Sequence, residues 1–394
     1  MKNQKIYELL VGDENTSSKS IEPFSQVVCN FLSDLSEDLK KNQYYKVYPD
    51  IAALAFWLRK KNILKTKNYF QDSNLRLGLG LLFHITPSNV ATNFAYSLVF
   101  GLITGNSNVV KVPSKNFYQV EIICKSINKV LKKYKELKEM IKIIRYSDYD
   151  NITKKYSSLC DGRLIWGGDK TIQDIRCFST HSRSVDITFA DRYSFCVIDI
   201  DKLKKLTLEN LKKIVYKFYN DTYLVDQNAC SSPHLIIWYG TNNKGTKKKF
   251  WQILFELVKK KYEISEQASI DKLTKLHSDI LDYNNIKNYQ NFRSDLYVLN
   301  LKNLDSNNHK MRGKWGFFYE YETRNLNAIA KFINKKYQTL TYFGLEKSIL
   351  TNFVIKNNLK GVDRIVPIGQ SQDINFFWDG YDINKILTRV IDIQ

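Results

Sequence analysis

An α/β fold, with helices covering both faces of parallel sheets, is predicted for this chain by three observations. From Leu77 onward, short apolar runs of strand character alternate with segments whose apolar residues recur every three or four positions. The alternation resumes after about residue 205, with further strands at HLIIWYG, DLYVLN, FFYEYE and QTLTYF. The length of 394 residues exceeds one ordinary domain and suits two or three.

The elements follow in order. Before Leu77 the pattern is helical: Ile21, Phe24, Val27, Val28, Phe31, Leu32 and Leu35 share one face, and a second amphipathic run spans residues 51–64. LGLGLLFHIT then reads as strand, residues 90–103 as helix, NVVKV as strand and residues 117–137 as helix. IKIIRY and RLIW are strands, residues 171–178 a helix, and VDITF with FCVIDI the last strands before a boundary near 205. The second region opens with a helix near 211–219 and carries two lysine-rich helices between 247 and 281. The tail reads as a strand DRIVPIG, a loop and a short helix from Ile383. The expected domains are therefore 1–205, 206–360 and a return segment, 361–394.

Lys and Arg number 60 against 40 Asp and Glu, a formal charge of +20. The basic residues are mostly lysines mixed with acids along helix faces, so specific nucleic-acid binding is not expected. The excess charge would help attract an anionic ligand. Six cysteines lie far apart, with no CxxC pair and no histidine at ligand spacing. Reduced thiols and no metal are expected. The N-terminus has no signal-like apolar stretch, and residues 77–104 are interrupted by His84, Pro87, Ser88, Asn89 and Asn93. No membrane span and a cytoplasmic location are expected.

Four places could carry chemistry. Gly78 and Gly80 begin a GxG, but the third glycine of a dinucleotide fingerprint is replaced by Phe83, which favours glycines that admit a neighbouring backbone. Gly167 and Gly168 join a strand to a helix, where unpaired N–H groups suit an anion, although such turns are also ordinary connections. Thr86, Pro87 and Asn89 follow one strand end and Ser114 the next, while Lys111 is a charge inside an apolar strand. A ribose hydroxyl or a phosphate is one candidate partner for Lys111. Cys230 sits among small polar residues in DQNACSSPH, either a core thiol or a nucleophile whose neighbouring N–H groups favour thiolate and oxyanion. His234 could serve as its base or simply belong to the following strand.

Read together and in order, FHITPSNV, GLITGNSNVVKVPS, IWGGD, DQNACSSP, KYQTLTYFG and GVDRIVPIGQSQDINFFWDGYDI resemble the aldehyde dehydrogenase superfamily, and more closely its LuxC-type acyl-CoA reductase branch. The resemblance runs from about Leu77 to the end. It implies a three-layer aldehyde dehydrogenase-like fold, with a nicotinamide-binding domain in residues 1–205 and a catalytic domain in 206–360. It implies an acyl-CoA reductase in which Cys230 is the nucleophile and the Asn89 amide helps hold the oxygen of the thiohemiacetal. Thr86 and Pro87 would lie beside the cofactor, Lys111 and Ser114 near the adenosine ribose, and Gly167 with Gly168 near the pyrophosphate. NADPH is favoured, with NADH as the alternative. Expected partners are an acyl-CoA or other activated acyl donor, an acyl-activating ligase and a second copy of the chain. An acyl phosphate or adenylate reductase, and a non-catalytic basic binding protein, are the rival readings. The chain departs from the oxidising members in reading Thr188-Phe189-Ala190-Asp191-Arg192 where they carry a glutamate base. An acyl-enzyme without that base would be spared hydrolysis.

Overall fold

The computed structural model describes residues 7–70, 74–88, 90–147, 150–241 and 243–394. They form two compact units, residues 1–190 with 375–394, and residues 191–374. No described helix is long and apolar enough to cross a membrane.

The first unit is built on a six-stranded sheet. In chain order its elements are β1 (Glu8–Val11), α1 (Gln26–Lys41), α2 (Pro49–Trp57), α3 (Lys60–Tyr69), β2 (Leu75–Gly78), β3 (Leu81–Ile85), α4 (Asn93–Ile103), β4 (Ser107–Lys111), α5 (Tyr118–Leu131), β5 (Ile141–Arg145), α6 (Asp150–Leu159), β6 (Gly162–Trp166), α7 (Asp169–Arg176) and β7 (Val185–Phe189). The strand order is β1-β5-β4-β3-β6-β7, with β1 antiparallel and the rest parallel. The parallel part therefore has the doubly wound order whose direction reverses at β3 and β6. Both strands are buried on both faces, which is why their sequences read as continuous apolar runs. Leu81, Phe83 and Ile85 face one side and pack with Tyr156 and Ile172 from α6 and α7.

The second unit contains β8 (Tyr193–Asp199), α8 (Ile200–Lys204), α9 (Leu208–Thr222), β9 (Pro233–Tyr239), α10 (Lys244–Lys261), α11 (Glu266–Asp282), β10 (Ile286–Phe292), β11 (Leu296–Leu301), β12 (Phe317–Thr323), α12 (Asn327–Ala330), β13 (Tyr337–Phe343), α13 (Lys347–Lys356) and β14 (Arg364–Pro367). Its seven strands run β10-β11-β12-β9-β8-β13-β14, with only the β10–β11 pair antiparallel. Alternate residues feed two cores. Ile198, Ile236, Trp238 and Phe318 pack under α8, α9 and α10, while Val197, Leu235, Ile237 and Tyr319 pack with Leu276 of α11 and Leu350 and Phe353 of α13.

Three sequence expectations are corrected. The division falls at residue 190 and not 205, because VDITF pairs with β6 whereas FCVIDI pairs with β9 and β13. The return segment is likewise divided, with residues 361–374 in the second unit and 375–394 in the first. LGLGLLFHIT is two strands: β2 pairs antiparallel with a C-terminal strand, Thr388–Ile391, absent from the sequence reading. The break is at Gly80, whose φ of +140° and lack of a Cβ leave room for the Asp161 carboxylate.

Candidate functional site

In the first unit, the predicted residues gather at the carboxyl ends of neighbouring strands. Ile85 is level with Lys111 on one side and Ile165 on the other, so Thr86, Lys111 and Gly167 lie at the same edge of the sheet. Thr86 Oγ1 donates to the Lys111 carbonyl at 2.6 Å, tying two of the strand ends together. Pro87 is half-buried and Ser114 exposed in the loops that follow. Lys111 is only 3% exposed, and burial pulls its ammonium down to about 8. Its Nζ stands 5.2 Å from the centre of the Tyr146 ring. Asn89 lies outside the described residues.

The edge between β3 and β6 is the reversal point of the parallel sheet, where crevices open in this fold class. Gly168 is the N-cap of α7 and brings no capping side chain, and a Cβ at Gly168 would meet nothing. Open space beside backbone donors is the chemistry an anion requires. Trp166 at the end of β6 is held by stacking on Phe189, with centroids 3.7 Å apart, and by donating Nε1–H to Ser97 Oγ at 3.0 Å. Ser97 Oγ lies 2.7 Å from Nδ1 of buried His84, whose imidazole burial keeps neutral down to about 4. Gly78 behaves as a backbone-approach glycine, since its Cβ would sit 2.5 Å from the Gly105 carbonyl, whereas Gly80 makes room for the Asp161 side chain.

Cys230 belongs to the second unit, in a turn just before the amino end of β9. Burial separates it from the other thiols. Cys29, Cys124, Cys160 and Cys196 are buried, and burial raises each thiol, Cys160 to about 11. Those four act as small core residues. Cys177 is exposed at the end of α7 and donates to the Gln173 carbonyl. Cys230 alone among them is half-buried.

The Cys230 turn is fixed from several sides. Ser194 Oγ, on β8, donates to the Cys230 carbonyl at 2.6 Å. Gln227 is buried with a φ of +59°, its Oε1 accepting the Gly316 and Phe317 N–H groups and its Nε2 donating to the Pro233 and Phe317 carbonyls. This side chain joins the turn to the start of β12 as an extra piece of backbone would. Ser232 Oγ donates to the Asp221 carbonyl at 2.8 Å. Sequence reasoning missed Gln227, Asp221 and Ser194. A signal existed for Asp221, an acid three residues after Phe218 on the buried face of α9.

The sequence-adjacent alternatives for a base are otherwise engaged. His234 is buried in β9, stacked on Tyr193, and burial lowers it to about 3. Asp191 pairs with Arg312 at 2.6 Å, and Arg192 with Asp363 at 2.6 Å. Glu320, in the middle of β12, is buried and accepts from Trp238, Trp251 and Asn300 while pairing with Lys247.

The profile of a family described as acyl-CoA reductase (LuxC) matches residues 19–390. A comparison with curated proteins finds no match. Solved structures similar to this chain include aldehyde dehydrogenase 21 from Physcomitrella patens in complex with succinate, at 12% identity and TM-score 0.64, covering 93% of this chain and 85% of the other. An NAD-dependent benzaldehyde dehydrogenase from Corynebacterium glutamicum matches at 11% identity and TM-score 0.60, covering 99% and 98%. The glyceraldehyde-3-phosphate dehydrogenase GapN of Methanocaldococcus jannaschii, complexed with NADP, matches at 14% and 0.61, covering 89% and 82%. The expected aldehyde dehydrogenase-like α/β fold is thus the observed one.

Proposed function

From the premise that this chain belongs to the LuxC family of acyl-CoA reductases, we propose that it reduces an acyl-CoA or another acyl thioester to the aldehyde, with Cys230 as nucleophile and NADPH as cofactor. Family and fold make it an oxidoreductase of aldehyde chemistry. The single observation that carries the finer reading is the half-buried Cys230 in a turn fixed by Ser194 and Gln227, while four other thiols are buried in the cores.

The Cys230 thiolate attacks the acyl carbonyl, a new C–S bond forms, and the carrier leaves as its thiolate. The backbone N–H groups of the turn hold the developing oxyanion. When bound, reduced nicotinamide supplies the hydride that converts the thioester to a thiohemiacetal. Collapse of that adduct restores the Cys230 thiolate and releases the aldehyde. The Thr188–Arg192 stretch carries no glutamate to activate water against the thioester, and its one carboxylate, Asp191, is paired with Arg312.

The residues of the first unit fit the cofactor. Gly167 and Gly168 would take the pyrophosphate at the open N-terminus of α7, Thr86 and Pro87 would flank it, and Lys111 and Ser114 would meet the adenosine ribose or its phosphate. A lysine that burial lowers to about 8 still carries its charge at neutral pH, which supports NADPH over NADH.

The test is a paired assay of wild type and C230A with a panel of acyl-CoAs and NADPH or NADH, following nicotinamide oxidation, aldehyde and the mass of the Cys230 peptide. Turnover and an acyl adduct in the wild type, both lost in C230A, support the reading. A wild type that neither turns over nor becomes acylated sinks it and favours an acyl phosphate or adenylate supplied by a partner ligase.

A further inference from the structure

One loop of the second unit is gripped unusually hard. Asp221, 1% exposed on α9, accepts the Gly369 N–H at 2.6 Å and the Ser371 N–H at 2.9 Å with its two carboxylate oxygens. From the other side, the Arg364 guanidinium donates to the main-chain oxygens of Ser371, at 2.6 Å, and Gln370, at 2.8 Å. Burying these groups is costly. It raises the Asp221 carboxyl to about 6 and lowers Arg364 to about 10, even with the hydrogen bonds in place. Apolar residues in their place would leave the Gly369 and Ser371 N–H groups and the Gln370 and Ser371 carbonyls without these partners, so the two buried charges fix the path of the loop.

What that geometry delivers is Gln372. Its Nε2 lies 3.1 Å from Ser232 Oγ and 3.2 Å from the Asp221 carbonyl, and Ser231 Oγ donates to its Oε1 at 3.5 Å. Ser231 and Ser232 directly follow Cys230. A glutamine is suited to the place because it offers a donor to one serine and an acceptor to the other.

We propose that Gln372 is a positioning residue for Cys230: clamped by Asp221 and Arg364, it fixes the Ser231–Ser232 side of the turn while Ser194 fixes the Cys230 carbonyl. The proposal rests on the nucleophile reading above. Its consequence is orientation, since a displacement of about 1 Å at a reacting atom costs on the order of 10²-fold in rate.

Four measurements on wild type, Q372M and S232A test it: single-turnover acylation by acyl-CoA, alkylation of Cys230 by iodoacetamide read on its own peptide, the KM for NADPH, and thermal melting. Q372M keeps the volume and removes both hydrogen-bonding ends. It is expected to slow acylation roughly 10- to 100-fold, with alkylation by the small reagent and KM for NADPH changed by less than about twofold. S232A removes the contact from the other side, and the double variant S232A/Q372M should lose little more than either single one. Should Q372M fail to fold, S232A carries the same expectation. Acylation at the wild-type rate in either folded variant overturns the proposal, as does a lowered melting temperature with unchanged acylation, which is a purely structural role. A wild type whose Cys230 is alkylated but accepts no acyl group from any thioester instead defeats the nucleophile reading, and this proposal with it.

Discussion

The two sheets place their candidate residues at opposite ends. In the first unit Thr86, Lys111 and Gly167 stand where parallel strands finish, beside a helix N-terminus and a glycine with open space around it. In the second, Cys230 stands where β9 begins, and side chains hold the turn: Gln227, Ser194 and Asp221. The first arrangement uses what any strand-to-helix turn offers, backbone donors and a favourable dipole. The second has to be assembled from distant residues. The difference teaches how each should fail: the first by adding atoms, the second by removing hydrogen-bonding ones.

The largest expected effect is on the second unit. C230A should lower turnover by about 10⁴-fold or more, since the step it removes has no substitute. Next comes an added side chain in the first unit. Gly168 has φ −68° and ψ 164°, a conformation any residue adopts, and nothing lies where its Cβ would be. G168V should therefore melt like the wild type, within about 0.5 kcal/mol, while KM for the nicotinamide rises roughly tenfold and acylation of Cys230 stays unchanged. A variant that loses acylation together with cofactor binding would erase the contrast between the two ends.

Lys111 sharpens the same comparison through pH. Burial lowers it to about 8, so its charge is present below that pH and lost above. Cofactor KM should rise a few-fold as pH climbs through 8 in the wild type, and K111M should bind weakly without that limb. The stability sign is opposite. A base whose folded value is depressed has its stabilising contribution in place above the unfolded value of 10.5 and loses it as pH falls through about 8. K111M should therefore gain stability over the wild type at pH 7 and not near pH 11, as denaturant melts at the two values will report.

Much of the first unit was legible in the sequence because its strands are buried on both faces and read as apolar runs: LLFHI, SNVVK, GRLIW. The Cys230 segment was legible as well, through its small polar neighbours ahead of an apolar strand. The boundary was not, because VDITF and FCVIDI are similar strands a few residues apart and only their pairing partners assign them to different sheets. The support of Cys230 was also hidden. Asp221 meets Ser371 across 150 positions and Gln227 meets Phe317 across 90, separations that no local periodicity reports. Gln372 stands inside the C-terminal stretch that carries the resemblance, yet its partner Ser232 is 140 positions away and is met only in the folded chain.

The smallest expected effect on activity belongs to His234, four residues from Cys230 and the nearest histidine in sequence. If it were the base, the rate of Cys230 acylation would bend near neutral pH and lose that bend on substitution. The structure argues otherwise: the ring is buried in β9, lies against Tyr193, and is kept neutral down to about 3 by burial, with the charges of Arg312 and Lys275 nearby adding to the effect. H234Q should leave the pH profile of acylation in place, to within about twofold in rate. Its mark should appear in stability instead. A histidine depressed from 6.5 to about 3 has its stabilising contribution in full above 6.5 and loses it as pH falls toward 3, because the unfolded chain takes up the proton first. Acid unfolding of H234Q followed from pH 7 to pH 3 should thus be shallower than that of the wild type, whereas a shifted acylation profile would return His234 to the chemistry.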